Sequence, residues 1–281
     1  MLDAYRRRIL LDRIARGACV AATLLALLPL ASVLIYVTAK GVGGLTWELF
    51  TELPKPVGEV GGGFGNAMLG TLLLVGLACA VSIPIGVLSG LYLSELGATR
   101  LGKAVRFSAD VMSGVPSIAV GIFVYTLVVL SMRRFSALAG GIALGILMLP
   151  TITRTTEELL KLVPDSLREA GLALGVPKWR VILQVVLRTG APGIATGVML
   201  AVARAAGETA PLLFTAFGNR FWSTSLDKPI ASLPVQIFTY AVSPYDDWHR
   251  QAWAAALVLI AMVLVLNVGA RLLTYSRAGA R

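Results

Sequence analysis

SLREAGLALGVPKWRVILQVVLRTGAPGI, residues 166–194, makes up most of 154–192, the longest segment between two strongly apolar runs. Pro164 and Asp165 come just before it. Asp165 or Ser166 is placed to cap a helix, with Glu169 in its first turn. REAGLAL then reads as a short helix, and Gly175 ends it because glycine reaches positive φ without a steric penalty. Pro177 fits the first turn of a second helix, KWRVILQVVL. The product is a helix–glycine–helix elbow. Local physics gives such an elbow two uses: a knob presented to a partner, or an amphipathic hairpin lying on a surface.

What surrounds the elbow fixes its setting. The 281 residues are 57% hydrophobic and only 14% charged, with a mean hydropathy of +0.80. A soluble domain carries about 25% charged residues. Apolar runs fall at about 17–39, 67–94, 111–132, 135–153, 193–217 and 251–270. Each lies near or above the roughly 20 residues that a bilayer-crossing helix needs. The pattern lacks the alternation of a membrane β-barrel. An all-α integral membrane protein with about six transmembrane helices is therefore expected. The first run is too long for the core of a signal peptide, about 7–15 residues, and reads as a retained anchor. Pro84 predicts a tilt or kink in the second run. Gly114, Pro116 and Gly121 predict a kinked or closely packed third.

The excess of Lys and Arg reads as topology before it reads as nucleic-acid binding. Seventeen of the 25 fall on one side of the six runs and seven on the other, with Arg204 inside the fifth. The richer side holds both termini and the elbow, so it is expected to be cytoplasmic. The chain then divides into a basic N-terminus (1–16), a first anchor (17–39), an outer loop (40–66) containing GEVGGGFG, a transmembrane domain (67–275) with its cytoplasmic elbow at 160–190, and a short tail (276–281). Cys19 and Cys79 lie in apolar runs and His249 is alone, so neither a disulfide framework nor a metal site is indicated. The nearest approach to a phosphate-binding P-loop, Gly65 to Gly70 with Thr71, lacks the lysine. Neither a nucleophile–base pair nor a resident cofactor is indicated, and the chain is not read as an enzyme.

The elbow resembles the EAA motif of ABC-importer permeases: Glu-Ala-Ala, three residues, Gly, nine residues, Ile-x-Leu-Pro. Glu169, Ala170 and Gly175 match, with Pro177 following. Gly171 replaces the second alanine, Val185 stands for isoleucine, Leu187 matches, and Arg188 replaces proline. The stretches at 65–96, 113–125, 203–217 and 232–244 are similar to PstA-type permeases of the high-affinity phosphate importer, and GETAPLLFTA (207–216) is the most specific of them. The resemblance implies a type I ABC-importer permease fold in a bacterial plasma membrane. It implies that the elbow docks on an ATP-hydrolysing subunit through Glu169, Ala170, Gly175 and Pro177. It also implies a second, PstC-type permease, a PstB-type ATPase pair, an extracytoplasmic PstS-type phosphate-binding protein, and phosphate as cargo. ATP would be used by the partner subunit.

Within the fifth run, AVARAAGETAPLLF (201–214) holds Arg204 and Glu208, the only charges between Thr189 and Asn219. Each costs about 2.5–3.5 kcal/mol at mid-helix on insertion scales, so it should face protein or water. At i and i+4 they share a helix face and can pair. Pro211 leaves the Gly207 carbonyl without its helical donor, which predicts a bend. Two readings stay open: a pair that locks helix packing, or a charged gate in which the guanidinium binds an oxyanion and Glu208 competes for it. Asn66, Thr71, Ser113, Ser117 and Asn267 either line a path or hydrogen-bond between helices. At the level of function, three alternatives to phosphate import remain: import of another oxyanion such as sulfate, a gradient-driven secondary transporter with Glu208 as its proton site, or a non-transporting scaffold.

Overall fold

A computed structural model describes residues 2–279, with side chains described for Tyr5 and for 7–272. The described residues are helices joined by turns, and their one β-like pairing is an isolated bridge between Pro54 and Gly62. In chain order, α1 is Leu2–Val42, α2 Glu48–Thr51, α3 Gly65–Leu96 and α4 Arg100–Gly114. Then come α5 Ser117–Met132, α6 Ala137–Lys161, α7 Asp165–Ala173 and α8 Lys178–Ala206. The last three are α9 Ala210–Thr215, α10 Leu233–Ala241 and α11 Asp246–Gly279. Both α5 and α8 contain a π-helical turn, at Tyr125–Val129 and Ile182–Val186.

Among the described residues, five helices are long and apolar enough to cross a membrane: α1, α3, α6, α8 and α11. The kink expected of the third apolar run is present, and its two bent halves, counted as one span, make up the six expected. Instead of one helix over 111–132, α4 and α5 meet at an angle of 106°. Val115 and Pro116 are the break: Pro116 lacks an N–H, and the residue before a proline is driven out of the helical region. The part below the break, α4, is amphipathic and charged. The fourth span also differs, since α6 continues past 153 to Lys161. Arg154 and Glu157, which lie past the apolar run, are helical here and paired with each other. The second helix of the elbow, from Lys178, is continuous with the span that follows, so both belong to α8.

The centre of the molecule is the contact between α3 and α6. It is built on small residues, which let two helix backbones approach closely. A Cβ on Gly86 would meet Ile152 Cβ at 2.8 Å, and one on Gly90 would meet the Thr153 carbonyl oxygen at 2.6 Å. From the other side, Gly140 and Gly141 receive Leu74 and Leu77. Leu74, Ala78, Leu144, Met148 and Ile152 are buried there, joined by Ala201 and Ala205 of α8 and Leu212 of α9. Pro84 does not interrupt α3, which is assigned as one helix to Leu96.

At the end opposite the elbow, α11 begins beside the Gly-rich loop. Asp247 accepts from the Gly61 amide at 3.1 Å, and Gln251 donates to the Gly61 carbonyl at 3.0 Å. The last turn of α1 meets this same region: Gly41 lies against Trp253 and Leu257, and the Tyr36 and Trp253 rings pack edge to face at 5.1 Å. The most apolar window of α1 is otherwise wholly unburied within the chain.

Candidate functional site

The fifth span carries the first group of candidate residues. It was expected to bend near Pro211, but it stops. Helix α8 ends at Ala206; Gly207 and Glu208 close the last turn with tight bonds to the carbonyls of Arg204 and Ala205, at 3.1 and 3.2 Å. Pro211 sits at the start of α9, where its missing N–H leaves no gap. Its Cα would lie 2.7 Å from a Cβ on Gly121, so Gly121 is the seat on α5 that receives the returning chain. Arg204 is thus in the last turn of a helix, where carbonyl ends favour a cation.

Arg204 and Glu208 do meet, but loosely. Nε and Oε1 are 3.7 Å apart, across the helix end rather than along one helix face. That is an ion pair without a hydrogen bond. The Arg204 side chain is 68% exposed and that of Glu208 19%. A small cleft beside them is lined by Leu147, Met148 and Thr151 of α6, with Ala201 and Ala205. Those α6 residues stand midway along a spanning helix, so the two charges lie beside its middle. Of the two readings left open by the sequence, a pair that locks helix packing asks for burial and close geometry; here Glu208 is largely covered, Arg204 is open and their contact is loose. The guanidinium is open to whatever lies beside the chain there.

The second group is the elbow. Helix α7 ends as expected at Gly175, with φ of +77°. The Gly175 amide bonds Leu172 O at 2.9 Å and the Val176 amide bonds Gly171 O at 3.2 Å, the paired bonds of a Schellman motif. Two details differ from expectation. No side chain caps α7: Pro164 precedes it, and the Asp165 carboxylate turns to Arg168 instead. Pro177 precedes rather than occupies the first turn of α8, and its carbonyl accepts from Arg180 and Val181. Glu169, Ala170, Gly175 and Pro177 are all exposed, together with Leu172 and Leu174. Gly171, the departure from a second alanine, has a local reason. A Cβ there would stand 3.0 Å from Val181, which is buried under α7.

Sequence reasoning missed a third group, at the elbow end of α6. Glu157 is buried, its side chain 1% exposed, and gathers three cations. Arg106 of α4 donates to Oε1 through Nη2 at 2.6 Å and Nε at 3.0 Å; Lys161 reaches Oε1 at 2.6 Å and Arg154 reaches Oε2 at 3.3 Å. Arg154 also bonds Asp110 of α4. These charges hold the amphipathic α4 against α6. The i, i+3 and i+4 spacing of Arg154, Glu157 and Lys161 was a legible signal; the partner on α4 was not, since it lies 51 residues away. The polar residues read as path or packing mostly pack. Thr71 accepts from the Leu233 amide at 2.8 Å, Asn66 donates to Asn219 O at 2.7 Å, and Ser113 bonds its own helix.

With this geometry in place, relatives can be compared. Residues 82–276 match the family model described as "Binding-protein-dependent transport system inner membrane component". The chain is 48% identical over 272 residues to the phosphate transport system permease protein PstA of Yersinia pestis, covering 96% of this chain and 92% of that one. It belongs to this family of ABC-transporter permeases. PstA of Xylella fastidiosa (strain Temecula1 / ATCC 700964) is 44% identical, with 96% and 94% covered. Among solved structures, the inward-facing MetNI methionine ABC transporter matches 75% of this chain and 92% of its own, with a TM-score of 0.59 at 16% identity. That likeness concerns the fold, which is the type I importer permease fold expected from the elbow. The chain is a multi-pass membrane permease subunit.

Proposed function

We propose that this chain is one of two membrane permeases that form the translocation path of an ATP-driven importer of inorganic phosphate. The observation that supports it is Arg204: a half-paired guanidinium, 68% exposed, beside the middle of a spanning helix. A charge in that position needs water or a partner chain opposite it. A phosphate oxyanion suits it because the planar donors can bind two oxygens together. Glu208, 3.7 Å away, is the competitor that takes the guanidinium back and helps release the anion. The naming of relatives at 44–48% identity supports phosphate as the cargo.

The other assignments follow from the same reading. The second permease is a homologous PstC-type chain, and a PstS-type binding protein delivers phosphate on the side of the Gly-rich loop. The exposed elbow, Glu169, Ala170, Gly175 and Pro177, docks on a PstB-type ATPase pair, which hydrolyses the ATP; no chemistry is done on phosphate in this chain. The elbow side is the cytoplasm and holds both termini, by the seventeen-to-seven division of Lys and Arg across the bacterial inner membrane. The reading is tested with the four-component complex in proteoliposomes. Labelled phosphate uptake should require ATP and withstand sulfate as competitor. Uptake that follows a proton gradient without ATP would replace it with a secondary transporter, and competition by sulfate would change the cargo.

A further inference from the structure

One side chain ties the elbow to the core of the bundle. Arg168 lies next to Glu169 in sequence but points inward, 19% exposed against a Glu95 side chain that is 9% exposed. Its Nη2 and Nε reach Glu95 Oε1, in the last turn of α3, at 3.1 and 3.3 Å. Nη2 also donates to Leu160 O at 3.0 Å, and Nη1 to Val163 O at 2.5 Å. These two carbonyls lie at and just past the end of α6, where a helix leaves its carbonyls without internal donors. Nη1 completes the set with Asp165 Oδ1 at 3.0 Å. Arg168 therefore holds three elements at once: the end of α3, the end of α6 and the start of its own helix α7. A lysine could not do this, having neither the planar fork nor the spread of five donors.

What Arg168 holds is the stiff part of the molecule. Helices α3 and α6 are interlocked through Gly86, Gly90, Gly140 and Gly141. Such a packed pair moves as a body, because interiors at this density do not deform gradually. The same α6 supplies Leu147, Met148 and Thr151 to the cleft beside Arg204 and Glu208. By contrast, the backbone of α7 packs on the first turns of α8, with Gly171 against Val181.

We propose that Arg168 is the positioning residue that couples the elbow to the charged cleft. Displacement of the exposed Glu169–Ala170 face is carried through the Arg168 guanidinium to Glu95 and the α6 carbonyls, and so to the wall of the Arg204 site. This inference rests on the importer reading above. Without the strap, α7 can follow its partner while α3 and α6 stay behind, and ATP is hydrolysed with little transport.

The test uses the full reconstituted complex, with phosphate uptake and ATP hydrolysis measured in the same vesicles. Wild-type ATP-dependent uptake checks the importer reading; the strap is judged only on variants against that standard. Arg168→Ala should lower phosphate moved per ATP about fivefold or more, the size of an ordinary coupling free energy, while ATP hydrolysis persists. Arg168→Lys should fall between the two. Asp165→Ala, which removes a carboxylate that is 88% exposed, should keep the wild-type ratio. A second arm separates coupling from folding. Glu95→Cys and Arg168→Cys, in a Cys19→Ala, Cys79→Ala background, are bridged with a short bismaleimide in the assembled complex. Bridging should raise the ratio several-fold over the same protein unbridged. A wild-type ratio in Arg168→Ala, or a ratio that bridging does not move, would overturn the proposal.

Discussion

Glu157 and Arg204 are both charges on spanning helices, Glu157 near the elbow end of α6 and Arg204 in the last turn of α8, yet they are held in opposite ways. Glu157 has three cations within 3.3 Å and almost no exposure. Arg204 has one anion at 3.7 Å and most of its surface free. The first arrangement is structural, because removing one partner from a buried ion group leaves the others uncompensated. Glu157→Ala is therefore expected to destabilise the chain by about 3 kcal/mol or more, read as a lower melting temperature of the purified complex. The second arrangement leaves capacity to bind. Arg204→Lys keeps the charge but loses the two-oxygen fork, and phosphate uptake should fall about tenfold, the loss of roughly one charge-assisted hydrogen bond. Full uptake by Arg204→Lys would argue against recognition through two oxygens.

At the scale of elements, the glycines decide how close the helices come. Gly90→Ala sets a methyl 2.5 Å from Thr156 Cβ and 2.6 Å from a backbone oxygen of α6. Overpacking of that kind costs about 1–3 kcal/mol, so this variant should melt earlier than wild type. Gly175→Ala meets no neighbour at all, and its penalty is confined to φ of +77°, about 1 kcal/mol. It should leave the melting temperature of the bundle nearly unchanged and show itself only in binding of the ATPase subunit to the elbow. Much of this level was legible in the sequence. The apolar runs gave the spans, and Gly175 followed by Pro177 gave the elbow. The third and fifth spans were harder to read. Gly114 and Pro116 signalled the kink in the third but not that it would turn the chain through 106°, and hydropathy, which averages over a window, does not show that Gly207 and Pro211 end a helix rather than bend it. The pairing of Arg204 with Glu208 was legible from spacing; its looseness was not, because it depends on the helix stopping between them.

At the scale of the whole molecule, the chain has an interlocked centre, a basic end with the elbow, and an opposite end where loop 40–66 is fastened to the start of α11 through Asp247 and Gln251. Lys and Arg are concentrated at the elbow end, which fixes the expected orientation. Leu174 of the elbow is 83% exposed. Leu174→Cys, in a background without Cys19 and Cys79, should react with a membrane-impermeant maleimide in inside-out vesicles and stay unlabelled in right-side-out ones. The reverse pattern would invert the topology and place the proposed ATPase contact on the wrong side of the membrane.

The central claim is that an open intramembrane cation, answered by a nearby carboxylate, handles the transported anion. Labelled phosphate uptake by the Arg204→Ala/Glu208→Ala double variant, in complexes that insert and assemble as wild type, tests it most directly. Removing both charges leaves no unpaired charge behind to disturb folding. The account predicts that uptake collapses while the complex remains intact. Transport at the wild-type rate would show that the pair is dispensable and that phosphate is handled elsewhere.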